Sequence, residues 1–380
     1  MPLYSIKGVM LLILYIMDKE QTPLDVIDSY FSYIWTEEYG KCGTFELYLP
    51  MRYIKNEILM NGRYLYSEGM GNSTLMVIED IQINAKSDGD QMVLTGRSLE
   101  SLLDRRIIWE EPTISNTSYE TIKRMIFDNV ISPETSKRAI PDFIFEESTD
   151  TSVLSVTTPY LEPETLIGEN LYSVVSDICL NSNLGFKIKP NFKGGFIFSL
   201  YSGRDRTVSQ TINPPIIFSS KLETLLGCDY FNSSRDVKNS VLVWGPTEDI
   251  YDEETGEVVD TIRHAYEEGD SSGLDRREGF VETGSVEEDT DIGEYMTYKA
   301  EEFLSEYNKP IITFNGELNT LTQYQYKRDY DIGDIVEVIN DYDVRCVCRI
   351  TEVVYSYSEE GRVVLPTFTN ISDNLEGATI

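Results

Sequence analysis

The stretch that most constrains the fold is Tyr324–Thr369, near the C-terminal end of the chain. The turn Asp331-Ile332-Gly333-Asp334 combines a glycine, which accepts a positive φ, with aspartates whose side chains bond nearby backbone amides. The run Ile335–Ile339 is mostly β-branched, and apolar residues alternate with polar ones from Val344 to Ile350. This stretch therefore predicts a small antiparallel sheet or barrel.

Two further β-signals lie in the same stretch. The apolar phase changes at Glu352, which predicts a β-bulge. The sequence Ser358-Glu359-Glu360-Gly361 predicts a hairpin loop, because glycine suits the tight connection of two strands.

The N-terminal part, residues 1–110, is also predicted to be mainly β. Val26–Trp35 is predicted as one continuous strand because of its β-branched and aromatic residues. Leu99, Leu102 and Leu103 have the spacing of one short helical turn. We predict a first barrel-like β domain here.

A change of period indicates an α+β insert at residues 111–215. Thr117 and Glu120 have the spacing of a capping box, which predicts a helix through Asn129. A second helix is predicted from apolar residues at i, i+3, i+4 and i+7, namely Leu171, Val174, Val175 and Ile178. Phe186–Lys189 and Phe196–Tyr201 are predicted to pair as a hairpin.

Residues 216–380 are predicted to form a second barrel-like β domain, interrupted by an acidic excursion and a helix at about 247–309. The stretch Thr247–Thr290 holds 16 acidic and 3 basic residues. Burying such a surplus costs several kcal/mol per unpaired ion, so we expect it to be exposed to solvent. The fold class is therefore α+β, mainly β, with two barrel-like antiparallel β domains and an α+β insert.

The charge balance is strongly acidic, with 65 acidic residues against 32 basic ones and a net charge of −33. Binding to a phosphate backbone needs clustered cations, which this chain lacks in surplus. The acidity has two open interpretations, namely solubility and repulsion of a polyanion.

The five cysteines are interpreted as small hydrophobic residues of a protein made in a reducing compartment. Cys346 and Cys348 lie two apart on one predicted strand and do not form an ordinary disulfide. The apolar run Val9–Met17 is too short to span a bilayer. It is followed by Asp18-Lys19-Glu20 rather than small residues, so we expect a buried strand and not a signal peptide.

The sequence offers no catalytic, cofactor or metal site that we would assign. A serine or cysteine triad needs an imidazole, and the one histidine, His264, has no nucleophile motif beside it. Cys346-x-Cys348 lacks the second pair of a zinc site. The carboxylate pairs Glu110-Glu111 and Glu146-Glu147 are better explained as solvated acidic faces than as glycosidase centres. The acids between Asp249 and Asp260 lack the order of a calcium loop.

Four stretches resemble the siphophage tail-tip hub family, the Tal-like minor tail proteins related to the baseplate hubs of contractile tails. The first three are Gly96–Arg106, Gly203–Thr207 and Gly273–Glu278. The fourth is C-terminal: Tyr330-Asp331-Ile332-Gly333-Asp334-Ile335-Val336, then Arg349-Ile350-Thr351-Glu352-Val353, then Gly361 five residues before Pro366-Thr367-Phe368. The resemblance spans roughly residues 10 to 370 and implies a phage baseplate-hub-like fold.

The resemblance implies a structural hub at the distal end of the tail in the virion, made in the host cytoplasm. Two similar β domains per subunit of a homotrimer give a pseudo-sixfold ring. That ring stacks under the distal tail protein ring, binds the end of the tape-measure protein, caps the tube and opens for DNA ejection. DNA passes transiently without specific binding, and this chain does not insert into a membrane. Many relatives carry a C-terminal extension with receptor-binding or hydrolase modules, from which this chain of 380 residues departs. We therefore expect any receptor-binding protein or tip enzyme to be a separate polypeptide.

Two sets of residues are singled out by this resemblance. The structural motif comprises Asp331, Gly333, Asp334, Arg349, Glu352 and Gly361, whose expected role is to hold strand geometry. The scarce bases Arg105, Arg106, Arg276 and Arg277 are predicted to form inter-subunit or inter-domain ion pairs, with free surface charges as the alternative. Two other functional classes stay open, a peptidoglycan-degrading tail enzyme and a cell-wall-binding adhesin.

Overall fold

A computed structural model describes residues 5–6, 9–10, 12–55, 58–67, 75–84, 90–159, 161, 163–251, 255, 258–284, 291–318, 324–358 and 361–371. The strands in chain order are β1 (Ser5–Ile6), β2 (Val9–Met10), β3 (Leu14–Met17), β4 (Pro23–Ile27), β5 (Ser32–Glu38), β6 (Thr44–Pro50), β7 (Tyr64–Ser67), β8 (Leu75–Asn84), β9 (Gln91–Ser98), β10 (Phe143–Phe145), β11 (Gly185–Pro190), β12 (Phe196–Tyr201), β13 (Ile217–Ser219), β14 (Leu225–Ser233), β15 (Ser240–Tyr251), β16 (Val258–Glu268), β17 (Glu278–Glu282), β18 (Ile311–Leu318), β19 (Ile335–Ile339), β20 (Arg345–Ser358) and β21 (Gly361–Asn370).

Helices are fewer and shorter. The α-helices are α1 (Ser118–Ile126), continued by a π-helical turn at Phe127–Ile131, α2 (Thr151–Leu154), α3 (Leu171–Asn181) and α4 (Ile292–Tyr307). Six 3₁₀ turns complete the described helical segments, at Met51–Lys55, Leu99–Arg105, Ser136–Arg138, Pro163–Leu166, Ser220–Leu222 and Gly273–Asp275.

Strands from both ends of the chain share one large sheet of 13 strands. Its order is β14-β18-β21-β20-β5-β6-β9-β8-β7-β3-β4, and β19 pairs with both β13 and β20. The connection between the two ends is the antiparallel pairing of β20 with β5, in which Tyr355 lies opposite Trp35. A separate sheet, β10-β12-β11, contains the predicted hairpin of β11 and β12.

The predicted mainly β class with antiparallel sheets is confirmed. The barrel-like form is not closed, because the strand order among the described residues has two ends, at β14 and β4. The division into three domains at residues 110 and 215 stays a prediction.

The chain divides into two compact units. The first unit comprises Met1–Asp229 and Phe314–Ile380, and the second comprises Tyr230–Thr313. In the first unit, one buried cluster joins β-sheet residues such as Leu75 and Val77 to α1, α3 and the β11–β12 hairpin. In the second unit, α4 packs on the sheet β16-β15-β17 through Val241, Val243, Tyr295, Met296 and Ala300.

Several local predictions agree with the structure. Thr117 caps α1 by accepting a hydrogen bond from the Glu120 amide. The predicted bulge is a register shift between Ile350 and Glu352 in the β20–β21 pair. The acidic stretch lies in the second unit, and Thr283 is the one buried residue among its described side chains. Residues 252–257 of this stretch, apart from Thr255, lie outside the described residues.

One strand prediction is wrong. Val26–Trp35 is not continuous but is divided between β4, which ends at Ile27, and β5, which begins at Ser32. The break falls at Asp28 and Ser29, residue types that are common in turns. None of the helices in the described part of the chain is long and apolar enough to cross a membrane.

Candidate functional site, a buried charged joint in the first unit

Charged side chains from five parts of the chain meet within the first unit. We call this cluster the charged joint, and its members are Glu37, Lys187, Arg206, Lys327, Asp331, Asp334 and Arg349. Six of them, all but Arg349, line a cavity of about 510 Å³. Because β5, β11, the loops around β12 and β19, and β20 all contribute, the joint ties together segments that are far apart in sequence.

The Asp334–Arg206 ion pair is the most buried part of the joint. The Asp334 carboxylate accepts hydrogen bonds from Arg206 Nε at 2.7 Å, from the Arg204 amide at 2.8 Å and from the Asp331 amide at 3.0 Å. The side chain of Arg206 is only 8% exposed and that of Asp334 only 3%. Removal of two charges from water is compensated only when such additional hydrogen bonds are made. This pair therefore joins the loop after β12 to the turn before β19.

Arg349, on β20, binds neutral oxygens around the same turn. One terminal nitrogen of its guanidinium donates to the Ser202 carbonyl at 2.7 Å, the Gly333 carbonyl at 2.8 Å and the Tyr39 hydroxyl at 3.3 Å. The guanidinium also lies 4.8 Å from the centre of the Tyr39 ring, within the range of a cation–π contact. Burial raises the pKa of Tyr39 to about 12, despite the opposing effect of Arg349.

Two lysines neutralise Glu37 on the buried face of β5. Glu37 Oε2 accepts hydrogen bonds from Lys327 Nζ at 2.7 Å, the Tyr326 hydroxyl at 3.1 Å and Lys187 Nζ at 3.5 Å. Burial acts to raise the pKa of Glu37, but Lys327 and Lys187 outweigh it, and the pKa lies below its ordinary value.

The same lysines act on Asp331 at the rim of the joint. Asp331 Oδ1 lies 2.8 Å from Lys327 Nζ and 3.6 Å from Lys187 Nζ. The two lysines hold the pKa of Asp331 below its ordinary value against the opposing effect of burial. Burial also acts to lower the pKa of Lys187, but Glu37 and Asp331 raise it above the ordinary value.

Two glycines allow the backbones of the joint to approach closely. Gly333 has φ +88° and Gly203 has φ +80°, both in the left-handed region. A Cβ atom at Gly203 would lie 2.0 Å from the Gly333 carbonyl oxygen. Glycine is therefore required at position 203 by the contact as well as by φ, and the Gly203–Thr207 stretch packs directly on the C-terminal motif.

The structure gathers part of the predicted structural motif. Asp331, Gly333, Asp334 and Arg349 lie together in or beside the joint. Glu352 and Gly361 lie elsewhere: Glu352 is opposite Glu38 in the β20–β5 pair, and Gly361 is opposite Ser358 in the β20–β21 pair.

The four predicted ion-pairing arginines are divided between the two units, with Arg105 and Arg106 in the first and Arg276 and Arg277 in the second. Arg276 pairs with Glu267 and Glu278, both at 2.6 Å, within the second unit. Arg106 donates to the Arg138 carbonyl at 2.8 Å, and Arg277 donates to the Ser234 carbonyl. An inter-subunit role for Arg105, Arg106, Arg276 and Arg277 stays a prediction.

Sequence reasoning missed Glu37, Lys187 and Lys327. A signal for Glu37 was present, because Tyr33, Trp35 and Glu37 alternate on the buried face of β5. An acid at a core-facing position of a period-two strand requires a buried cation as its partner. Local patterns do not indicate which lysines supply it, since Lys187 and Lys327 lie 150 and 290 residues away from Glu37.

Other chemistry-bearing residues lie apart from the joint. His264 lines a shallow cavity of about 390 Å³ in the second unit with Tyr266, Asp291 and Met296 among its neighbours. The five cysteines are free. Among the residues that the structure describes, no group of three or more His, Cys, Asp or Glu side chains is arranged to hold a metal ion.

The charged joint can hold distant segments of the chain in register. Most of its buried charged groups are satisfied by one another and by backbone groups, as in a structural network. Two atoms, Glu37 Oε1 and Arg349 Nε, are buried without a hydrogen-bond partner among the described residues. Loss of one partner would leave an uncompensated charge in the interior, so the joint favours one arrangement of β5, β19 and β20 over others.

The fold is similar to that of three solved proteins. The 43 kDa tail protein of prophage MuSo2 from Shewanella oneidensis has 10% identity and a TM-score of 0.58, with 94% of this chain and 98% of that chain covered. A tail protein from Neisseria meningitidis MC58 has 11% identity and a TM-score of 0.55, with coverage of 95% and 97%. Prophage tail protein gp18 from Listeria monocytogenes EGD-e has 11% identity and a TM-score of 0.51, with coverage of 96% of both chains. Identities this low show a shared fold alone.

The family assignment comes from the sequence itself. No curated protein matches the chain. Residues 13–369 match the family described as Siphovirus ReqiPepy6 Gp37-like protein, and this range contains all four stretches on which the resemblance to siphophage tail proteins was based. Because the match spans almost the whole chain, the protein belongs to the Siphovirus ReqiPepy6 Gp37-like family.

Proposed function

We propose that this chain is a structural hub at the distal end of a phage tail. The observation that carries the proposal is the family match over residues 13–369. The three similar solved structures, each a phage or bacterial tail protein matched over nearly its whole length, support a structural role in the tail. The protein resides in the virion after synthesis in the host cytoplasm.

The hub works as a homotrimeric ring that adapts sixfold tail symmetry to a threefold tip. A cyclic trimer uses the same two surface patches in every subunit, head to tail, and closes without a free patch. In this proposal the ring stacks under the distal tail protein ring, binds the end of the tape-measure protein and caps the tube. A separate tip or receptor-binding protein follows it.

The charged joint gives the subunit the rigidity that such a ring needs. It fixes the turn at Asp331–Asp334 against β5 and the loop after β12 through buried charge-assisted hydrogen bonds. Hydrogen bonds to charged groups are about twice as strong as those between neutral groups. We expect the first unit to move as one body when the ring opens for DNA ejection.

The acidity suits transient passage of DNA without specific binding. The net charge of −33 repels phosphates, and acids on the axial wall let DNA slide where lysines and arginines would hold it. The proposal assigns no catalytic step to this chain.

Cryo-electron microscopy of the assembled particle tests the proposal. Three copies around the tail axis at the distal end are expected, whereas one or six copies there would contradict the symmetry-adapter role. Two biochemical measurements separate the other classes. Clearing of bacterial cell walls by the pure protein would indicate a peptidoglycan-degrading enzyme, and retention on purified cell walls would indicate an adhesin.

A further inference from the structure

In the described part of the second unit, α4 packs on one face of the sheet and no helix covers the other. Along β15, Val241 and Val243 are buried against α4, whereas Leu242 and Trp244 point to the opposite side and are 39% and 41% exposed. Phe280 on β17 lies opposite Leu242 and is 53% exposed. We call Leu242, Trp244 and Phe280 the open sheet face.

The open sheet face is ordered by its own contacts. The Trp244 and Phe280 rings meet edge to face, with their centres 5.5 Å apart. The Arg263 guanidinium lies 5.0 Å from the centre of the Trp244 ring and pairs with Glu282 at 2.8 Å. Large aromatic side chains that are held in place while exposed are typical of binding hot spots, because little side-chain entropy is lost on binding.

The border of this face is charged and holds three glutamates that pair with two arginines, Arg263 and Arg276. Glu267 lies opposite Leu242 on β16, Glu282 lies opposite Trp244 on β17, and Arg276 bridges Glu267 and Glu278. The whole second unit, residues 230–313, carries 22 acidic and 7 basic side chains, a net charge of −15.

This charge decides which partner fits. A second copy would bring together two units that each carry a net charge of −15, and DNA or an anionic membrane would be repelled for the same reason. A surface that combines apolar side chains with surrounding lysines and arginines is complementary to both the open sheet face and its border.

We infer that the open sheet face is the docking site for a separate tail protein that presents an apolar patch bordered by cationic side chains. This inference rests on the proposed function, because it takes the partner from the assembled tail. It goes beyond that function by assigning the contact to Leu242, Trp244 and Phe280, outside the charged joint.

Photo-crosslinking in assembled particles tests the inference. We expect a Phe280→p-benzoylphenylalanine chain, incorporated into particles and irradiated, to crosslink to one other virion protein, at a segment of net positive charge. The matched control is Tyr298→p-benzoylphenylalanine, since Tyr298 is 39% exposed on α4 of the same unit. This control variant should not crosslink to that virion protein.

The outcomes separate the inference from the proposed function. A crosslink to another copy of this chain, to DNA or to cell-wall polysaccharide would overturn the inference, as would no crosslink at all from particles that contain the chain. Absence of the unsubstituted chain from purified particles would overturn the proposed function, and the inference with it.

A pair of serine variants gives a second measurement. Because exposed aromatic hot spots carry much of an interface's binding energy, Trp244→Ser with Phe280→Ser should lower the amount of the crosslinked partner retained in particles by about tenfold. The control, Ile262→Ser with Tyr298→Ser, alters residues of similar exposure outside the open sheet face and should retain it. Equal retention in both double variants would refute the assignment, provided that both show wild-type circular dichroism.

Discussion

At the scale of single residues, the charged joint shows how full charges are kept in the interior of this chain. Asp334 is 2% exposed and accepts three hydrogen bonds, one of them from the buried Arg206. Glu37 is 7% exposed and is neutralised by two lysines. Such charges are stable only as a set, because each desolvated ion depends on its partners.

Replacement of Asp334 by asparagine should destabilise the first unit strongly. Asp334→Asn keeps the shape of the side chain but leaves Arg206 buried and unpaired, which costs about 3–5 kcal/mol of unfolding free energy. Urea unfolding followed by tryptophan fluorescence measures the loss. A Trp244→Phe background restricts the signal to Trp35 and Trp109, both in the first unit.

The control is the ion pair between Asp28 and Arg52, whose side chains are 75% and 58% exposed. Asp28→Asn should cost far less unfolding free energy than Asp334→Asn, because solvent screens exposed pairs. Similar losses for Asp28→Asn and Asp334→Asn would show that the joint does not behave as a buried network.

Glu37 and its neighbour Glu38 should respond to pH in opposite directions. The pKa of Glu37 is lowered in the folded state, so its stabilising contribution is present above the ordinary glutamate pKa of about 4.3 and is lost as pH falls through the folded value. Burial and the nearby Glu352 raise the pKa of Glu38, so its ionised form is unfavourable at neutral pH and protonation relieves the penalty.

Unfolding free energies measured between pH 3 and pH 7 test the opposite responses of Glu37 and Glu38. Glu37→Gln should destabilise at pH 7 and reduce the loss of stability toward acid. Glu38→Gln should leave stability at pH 7 unchanged or higher and steepen the net loss toward acid. The same sign of change at pH 7 in both variants would contradict the assignment of Glu37 as the neutralised partner.

At the scale of elements, the contact between two turns fixes where the Gly203–Thr207 stretch lies against β19. Their backbones exchange hydrogen bonds, from the Arg206 amide to the Ile335 carbonyl and from the Ile335 amide to the Arg204 carbonyl. The approach depends on Gly203, where any side chain would meet the Gly333 carbonyl.

Two glycine variants with nearly equal φ isolate this contact. Gly62 has φ +82° and no atom within 4 Å of a Cβ placed on it, so Gly62→Ala should cost only the left-handed strain of about 1–2 kcal/mol. Gly203→Ala adds a backbone clash and should lose about 1–3 kcal/mol more. Unfolding free energies in urea measure both losses, and equal losses would show that the turns separate without cost.

Local elements could be predicted from the sequence, and the joint could not. The N-cap of α1, the buried positions of α3 and the bulge at Glu352 depend on spacings of a few residues, which the sequence displays directly. The motif residues Asp331 and Asp334 were identified as turn formers, but their partners Lys187 and Arg206 come from other elements. Periodicity identifies which face is buried but does not identify which distant charge will meet it.

At the scale of the whole molecule, the net charge of −33 opposes every contact between copies of the chain. Repulsion between like-charged subunits is screened by salt, whereas attraction through apolar contacts is not. The salt dependence of self-association of the free chain therefore shows which of these two forces dominates in the proposed trimer.

We expect self-association of the purified chain to increase with salt. The Debye length falls from about 30 Å at 0.01 M to about 3 Å at 1 M, so repulsion between subunits should largely disappear over that range. Sedimentation velocity measures the fraction of trimer, with sucrose of matched osmolality as the control. Dissociation at high salt would indicate instead that ion pairs, such as those predicted for Arg105 and Arg106, hold the subunits together.

The pairing of β20 with β5 also has a consequence for how the protein is made. Trp35 leaves the ribosome 320 residues before Tyr355, its partner across the two strands. At ribosomal speeds of about 5–20 residues per second, β5 is synthesised roughly 15–60 s before β20, the strand that pairs with its edge. An uncovered strand edge pairs readily with other chains. The edge of β5 in nascent chains is therefore open to pairing with neighbouring chains on the same message until translation is nearly complete.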